Sequence, residues 1–231
     1  MVSAIPCAAR PLVAVQFVGC PADGQQGPQA KPKSGRTPNL PPAIAAQLAY
    51  YSAPELADRL GVLAPRGWHC IALYGSSGTE LIVTPKRYRA DRFMWVHPSP
   101  IRGSIVKSSL EYGGTSGRWG VAAAIARFFP RYRSSIFKQF EGLSIGQLPR
   151  DHNASDLVHG RSDRLVRFET LPERRGWGTR WLLTPNSRSV QGVVKLLPDD
   201  DWFDVLETDV RLPPNLAHLT SVILDEPQPV R

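Results

Sequence analysis

Apolar and polar positions alternate along several stretches of this chain, and a period of two is typical of β-strands. His69–Gly75 and residues 80–84 are rich in β-forming side chains, and the four residues between them predict a hairpin. Residues 104–112 alternate in the same way and predict another strand. Further strands are predicted toward the C-terminus, at residues 164–171, 179–184, 190–197 and 202–212.

Helical spacing marks fewer stretches of the chain. Ile44, Leu48 and Tyr51 are separated by four and then three residues, which predicts a helix beginning at about residue 42. A similar spacing predicts a helix over residues 116–129, which Pro130 would end. Shorter helices are predicted at residues 52–60, 131–143 and 213–224.

The order of these elements bears on the fold class. Strands that follow one another through turns, without regular crossover helices, favour an α+β fold. We expect a mainly antiparallel sheet with the helices packed on one face. Composition divides the chain into an N-terminal segment with a first strand (residues 1–20), a linker rich in Pro and Gly (residues 21–42) and a single α+β globular domain (residues 43–231).

The chain is basic, with 28 Lys and Arg residues against 20 Asp and Glu residues and a formal net charge of +8. A basic surface attracts anionic partners, although it can also serve only to keep a protein soluble. No recognised nucleic-acid-binding module accompanies the charge, so nucleic acid is an unfavoured partner. No stretch reaches the ~20 apolar residues of a membrane-spanning helix, so we expect no transmembrane segment.

The three cysteines are Cys7, Cys20 and Cys70. In an oxidising compartment an odd count implies one disulfide and one remaining thiol, and Cys7 is the expected remainder because its segment looks processed or unpacked. In the cytosol all three would be reduced. The absence of a Cys-x-x-Cys motif argues against structural zinc and thioredoxin-like chemistry. The N-terminus is a poor secretory signal, because it has little positive charge and a short apolar run.

Six motifs are scattered over most of the chain: Phe-Val-Gly-Cys-Pro-Ala-Asp-Gly-Gln at 17–25, Leu-Ala-Tyr-Tyr at 48–51, Val-Leu-Ala-Pro-Arg-Gly-Trp-His-Cys at 62–70, Tyr-Gly-Ser-Ser-Gly at 74–78, Gly-Gly-Thr-Ser-Gly-Arg at 113–118 and Val-Arg-Leu-Pro at 210–213. As a set they resemble motifs of a group of uncharacterised exported bacterial proteins that have no assigned activity. The resemblance implies an exported location, periplasmic or extracellular, and a disulfide between Cys20 and Cys70. It implies no reaction and no ligand.

A glycine-rich loop between a predicted strand and a predicted helix is the candidate anion-binding site. Such a loop directs backbone N–H groups and the positive end of a helix toward one point, and an arginine adds charge. It lacks the sequence of a Walker loop or a nucleophile elbow. The alternative is a tight turn that caps the helix. The loop consists of Gly113, Gly114, Thr115, Ser116, Gly117 and Arg118.

Two further groups of residues are weaker candidates for a binding site. His152, Asp156 and His159 would share one face of a helix and suit a transition metal, but the local composition favours a solvated loop. We therefore expect no metal and no cofactor. Trp177 and Trp181 would share one face of a strand, either as core residues or as a surface that stacks sugars or bases.

The leading hypothesis is an exported or envelope-associated globular domain that binds an anionic or glycan ligand without catalysis. One alternative is an envelope hydrolase whose site is assembled from residues distant in the sequence. Another is a basic nucleic-acid-binding protein of the cytoplasm. Whether the protein is an enzyme is left open, and no catalytic residue is assigned.

Overall fold

The computed structural model describes residues 11–94, 100–134, 136, 156–199 and 201–225. Within these residues the strands form an eight-stranded sheet, a three-stranded sheet and a two-stranded ribbon. The strands are β1 (Val13–Ala14), β2 (Gln16–Gly19), β3 (Ala22–Gly24), β4 (Asn39–Leu40), β5 (Leu48–Ser52), β6 (Gly61–Pro65), β7 (His69–Gly75), β8 (Gly78–Thr84), β9 (Ile105–Glu111), β10 (Asp156–Arg161), β11 (Leu165–Thr170), β12 (Val190–Asp199) and β13 (Trp202–Arg211).

Helices are fewer than strands in the described residues. The α-helices are α1 (Pro42–Ala45), α2 (Asp91–Met94), α3 (Arg118–Phe128) and α4 (Thr220–Asp225), and the 3-10 turns lie at Glu55–Ala57, Pro130–Tyr132, Trp177–Thr179 and Pro214–Leu219. None of these helices is both long enough and apolar enough to cross a membrane.

The eight-stranded sheet has the strand order β10-β11-β12-β13-β9-β8-β7-β3. Its strand pairs are antiparallel, except that β3 runs parallel to β7 at one edge. The predicted hairpin is present as β7 and β8, with Ser76 and Ser77 between the paired Gly75 and Gly78. A large, mostly antiparallel sheet with few helices is consistent with the predicted α+β class.

One face of this sheet packs against the three-stranded sheet β2-β5-β6 and against α4. Val106, Leu206 and Val210 point into this core, where they meet Leu63 and Ile223. The opposite face carries two separate apolar clusters. One lies under α3 and is centred on Phe128 and Phe168, and the other contains Ile82, Ile105 and the buried Leu182 and Leu183.

The expectation that the helices pack on one face is not shown. Helix α3 contacts β13 and β9 through the cluster that contains Val205, whereas α4 contacts β13 and β12 through the cluster that contains Leu206. Consecutive residues of a strand point to opposite faces, so the two helices lie on opposite sides of β13.

Several elements differ from the sequence-based predictions. The predicted helix after residue 42 ends at Ala45, and Leu48–Ser52 forms a strand that is buried along its whole length. Such a short apolar run fits a buried strand as well as a helix. Asp156–Arg161 is a strand rather than a loop, and residues 179–184 form no strand. Most of the helix predicted at residues 131–143 lies outside the described residues.

The N-terminal part of the described chain joins the eight-stranded sheet through β3, which falls within the predicted linker at residues 21–42. Cys20 precedes β3, and Cys70 lies in the neighbouring β7. Their Cα atoms are 5.4 Å apart and their sulfur atoms are at bonding distance, so the predicted cysteine pair is present. The three-segment division of the chain stays a prediction.

Candidate functional site

Charged side chains from three adjacent strands meet on the sheet face that carries α3. The strand register places Lys107 opposite Asp209, and Ser109 lies between Glu80 and Glu207. Alternate residues of a strand share a face, so these positions project together between the two apolar clusters of that face. With one arginine from a loop they form what we call the ionic cluster: Glu80, Lys107, Glu111, Arg180, Glu207 and Asp209.

Lys107 is the centre of the ionic cluster, and its side chain is only 2% exposed. Its Nζ lies 2.8 Å from Asp209 Oδ2, 3.5 Å from Glu207 Oε1 and 3.7 Å from Glu80 Oε1. Burial opposes the charged form of Lys107, but the three carboxylates outweigh it and raise the pKa of the ammonium. Lys107 therefore stays protonated.

Arg180 supplies the second positive charge of the cluster. Its guanidinium lies 3.6 Å above the centre of the Trp177 ring, which is a cation–π geometry. Trp177 Nε1 donates a hydrogen bond to Glu207 Oε2 at 2.7 Å, and Arg180 Nη2 donates to the same oxygen. Arg180 Nη2 also lies 3.6 Å from Glu111 Oε1. The tryptophan thus fixes both the arginine and its carboxylate partner.

Backbone hydrogen bonds hold Trp177 in place. The Trp177 N–H donates to both carboxylate oxygens of Asp156 at 3.0 Å, and the Gly178 N–H donates to Thr170 Oγ1 at 2.9 Å. Thr170 in turn donates its hydroxyl hydrogen to Asp156. The segment that carries Arg180 is therefore anchored to β10 and β11, which explains why it adopts a 3-10 turn instead of the predicted strand.

The charges within the cluster do not balance. Its four carboxyl groups and two cations would give a net charge of −2 if all were ionised. Burial raises the pKa values of Glu80, Glu111 and Asp209, so these groups retain protons to a higher pH than ordinary carboxyl groups. Burial also opposes ionisation of Glu207, but Arg180 and Lys107 outweigh it and lower the pKa of Glu207 to about 2.

The cluster reaches solvent at one side. The Glu207 and Asp209 side chains are fully buried, whereas the Glu80 and Glu111 side chains are each 23% exposed and that of Arg180 is 15% exposed. We call the exposed parts of Glu80, Glu111 and Arg180 the mouth of the cluster. Among the described members of the cluster, these three side chains are the most accessible to small molecules.

The residue after Arg180 is an exposed tryptophan. Trp181 is 74% exposed and has a backbone φ of 61°, in the left-handed region that bulky residues rarely occupy. A large aromatic side chain in water contributes little to folding, and a left-handed backbone costs about 1–2 kcal/mol. Strained backbone of this kind concentrates at functional sites. Trp181 is therefore a candidate for a ligand contact, and it directly follows the mouth residue Arg180 in the chain.

A glycine in α3 makes room for the mouth. A Cβ atom placed on Gly120 would lie 1.6 Å from Glu111 Oε2. That oxygen is buried and has no hydrogen-bond partner in the described residues. The first turn of α3 thus packs directly against the Glu111 carboxyl group, which contributes to the raised pKa of this group through burial.

The predicted anion-binding loop at residues 113–118 joins β9 to α3, as expected. The Gly113 N–H donates to Asp204 Oδ1 at 2.9 Å, and the Gly117 N–H donates to Thr115 Oγ1 at 3.3 Å. Gly117 is the N-cap residue of α3, with no side-chain cap. Gly114 and Ser116 lie in this loop, with Ser116 Oγ 3.1 Å from Ser76 Oγ, and Arg118 is the first residue of α3.

One observation argues against anion binding at this loop, and another favours it. Internal acceptors already use the N–H groups of Gly113, Gly117 and Arg118, the last through Thr115 O at 3.2 Å. In contrast, Arg118 Nε is buried and has no hydrogen-bond partner in the described residues. Anion binding at residues 113–118 stays a prediction.

The weaker constellations fare differently. Trp177 and Trp181 were predicted to share one face of a strand, which is wrong: Trp177 is buried, Trp181 is exposed, and neither is in a strand. Asp156 is committed to the Trp177 backbone, and His159 Nε2 lies 3.1 Å from Glu169 Oε2. His152 lies outside the described residues. In the part of the chain that the structure describes, no group of three or more His, Cys, Asp or Glu side chains could hold a metal.

No protein-family model matches this chain, and no curated protein or solved structure has significant similarity to it.

Proposed function

We propose that this protein is exported to an oxidising compartment and binds a glycan at the mouth of the ionic cluster, with Trp181 as the stacking surface. The observation that carries this proposal is the position of Trp181. It is an exposed tryptophan in a left-handed conformation, and it directly follows the arginine that closes the buried network.

The chemistry of the mouth suits a polyhydroxylated ligand. Glu80 and Glu111 can accept or donate hydrogen bonds to hydroxyl groups, depending on whether they hold a proton. Arg180 contributes donors held in a fixed orientation by Trp177 and Glu207. An indole ring adds an apolar surface on which the C–H face of a sugar ring can pack. A few fixed polar groups beside an aromatic surface are typical of small-ligand sites.

The cysteine pair supports the compartment. Disulfides persist in secreted and periplasmic proteins and are rare in the cytosol. Cys20 is buried, and its bond to Cys70 closes a 50-residue separation between the N-terminal strands and the main sheet. The resemblance to exported bacterial proteins points the same way.

Glycan binding can be tested by calorimetric titration with oligomers of glucose, of N-acetylglucosamine and of uronic acids. We expect one of these classes to bind, and Trp181→Ala to weaken that binding at least tenfold. Leu56→Ala is a matched control, because Leu56 is an exposed apolar residue at 44% exposure on a different 3-10 turn. Equal affinity of Trp181→Ala and wild type would contradict the proposal.

A hydrolase is the second candidate, favoured by the spread of pKa values in the cluster. Burial raises the pKa values of Glu80 and Glu111, whereas Arg180 and Lys107 outweigh burial and lower that of Glu207, and carboxyl groups with divergent pKa values are typical of acid–base pairs. Incubation with the glycans that bind would release reducing ends in wild type and none in Glu111→Gln. Binding without any release of reducing ends would contradict the hydrolase and would be consistent with glycan binding without catalysis.

A further inference from the structure

Two arginines at the far end of β13 form a second charged region, apart from the ionic cluster. Arg211 is the last residue of β13 and is only 1% exposed. Its Nε donates to Gly103 O at 2.9 Å, its Nη1 to Thr184 O at 2.6 Å and its Nη2 to Ile101 O at 2.9 Å. All three acceptors are neutral backbone carbonyl groups.

Arg188 lies beside Arg211 and is partly exposed. Its Nη1 donates to Ser104 Oγ at 2.8 Å and to Leu212 O at 2.9 Å, so its acceptors are neutral as well. Burial, and secondarily repulsion from Arg188, lower the pKa of Arg211 to about 10. The two guanidinium groups are therefore close enough to repel each other electrostatically.

Neither arginine has an ion-pair partner among the described residues. Carbonyl dipoles solvate a guanidinium but bring no net negative charge, and buried charges in proteins are normally paired. Asp209 is the acid that lies two residues before Arg211 on β13, and it is paired with Lys107.

We propose that Arg188 and Arg211 form a binding site for an oxyanion group, namely a phosphate, sulfate or carboxylate. Arg188 is the more exposed of the two arginines and would contact the anion directly. Its Nε and Nη2 make no hydrogen bond within the described residues and provide two donors. Ser104 Oγ accepts a hydrogen bond from Arg188, which leaves its own hydrogen to donate. Arg211 supplies the buried charge that attracts the anion.

The anion can be free or carried by a larger molecule, and the chemistry of recognition is the same. The site shares no residue with the mouth of the ionic cluster, and inorganic phosphate would need only Arg188, Arg211 and Ser104. The two proposals can therefore fail separately.

The test uses isothermal titration calorimetry of the full chain with inorganic phosphate, at constant ionic strength maintained with sodium chloride. We expect saturable binding at millimolar concentration, and at least a tenfold loss of affinity in Arg188→Gln. Arg188→Lys keeps the charge but loses the planar fork, so an intermediate affinity is expected. A second titration with a uronic acid oligomer shows whether a glycan-borne carboxylate is preferred over phosphate.

A control variant locates the site. Arg164→Gln removes an exposed arginine from the loop that joins β10 and β11, and it should bind phosphate as wild type does. The proposal is overturned if Arg188→Gln keeps the affinity of wild type, if Arg164→Gln loses as much affinity as Arg188→Gln does, or if wild type binds neither probe.

Discussion

The Nζ atom of Lys107 lies 2.8 Å from Asp209 Oδ2 in the interior of the eight-stranded sheet, and both side chains are essentially excluded from water. The two residues are direct cross-strand partners on β9 and β13. A buried pair is weak evidence for stability in itself, because desolvation offsets the attraction between the charges. Removing one partner, in contrast, leaves an uncompensated buried charge.

Replacing Lys107 with methionine should therefore be strongly destabilising. Asp209, Glu207 and Glu80 would lose their shared cation, and the loss expected for a broken buried pair is about 3–5 kcal/mol. Urea denaturation measures this as a change in the free energy of unfolding. Arg59→Met is the control, because its ion pair with Glu55 is 72% and 79% exposed and should contribute less than about 1 kcal/mol. Equal effects of the two substitutions would show that the buried cluster is not a coupled network.

The raised pKa of Glu111 predicts an unusual pH dependence of the stability. A carboxyl group with a raised pKa binds its proton more tightly in the folded state, so its stabilising contribution is complete below the ordinary value of 4.5 and is lost as pH rises through the raised value. Glutamine mimics the protonated form and does not titrate. Glu111→Gln should thus gain stability relative to wild type as the pH rises from about 4.5 to 8.

The pKa shift of Glu207 has the opposite sign to that of Glu111. Its pKa is lowered to about 2, so its contribution is present above 4.5 and is lost only as the pH falls toward 2. For Glu111, denaturation curves of wild type and Glu111→Gln at a series of pH values measure the predicted change in relative stability. If the two proteins show parallel profiles from pH 4.5 to 8, Glu111 does not hold its proton in the folded state.

The sequence predicts the individual strands of the main sheet better than it predicts the site. The hairpin at His69–Gly75, the strand at Ile105–Glu111 and helix α3 follow from local periodicity and turn residues. Lys107, Glu207 and Asp209 occupy alternate strand positions, a pattern that usually indicates a solvated face. They are buried because α3 and the turn around Trp177 cover that face, and no local pattern reveals such long-range packing.

One signal in the sequence could have pointed to the site. Strands β9 and β13 have apolar residues on one face and charged residues of both signs on the other, as Lys107 and Asp209 illustrate. Charges of both signs on central strands favour pairing across the sheet. The position of Arg180 could not be predicted, because it depends on hydrogen bonds that Asp156 and Thr170 accept from the backbone of a turn that has no periodicity.

Gly120 offers a test of the packing around Glu111. Alanine in place of glycine within a helix usually stabilises by about 0.5–1 kcal/mol. Here the new Cβ would collide with the Glu111 carboxyl group, so Gly120→Ala should destabilise the wild-type protein. In a Glu111→Ala background the collision disappears and the same substitution should stabilise. Thermal denaturation of the four proteins measures the coupling, and an identical effect in both backgrounds would contradict the described contact.

The disulfide should contribute to stability mainly through the unfolded chain. Closing a loop with a sequence separation of 50 residues corresponds to about 4 kcal/mol by chain-entropy reasoning. Cys20→Ser combined with Cys70→Ser should lower the free energy of unfolding by that order. Alkylation of the oxidised protein followed by mass spectrometry should modify Cys7 alone. Modification of all three cysteines would show that the pair is reduced and would remove the structural support for export.

The most direct test of the proposed function observes Trp181 while ligand is added. Nitrogen-15 labelling of tryptophan gives one indole N–H signal for each of the six tryptophans, and Trp181→Phe assigns the signal of interest. Titration with the oligosaccharide classes named above should shift the Trp181 signal in a saturable manner and leave that of the buried Trp177 nearly unchanged. If a glycan binds while the Trp181 signal stays fixed, or if no class binds, then the mouth of the ionic cluster is not a glycan site.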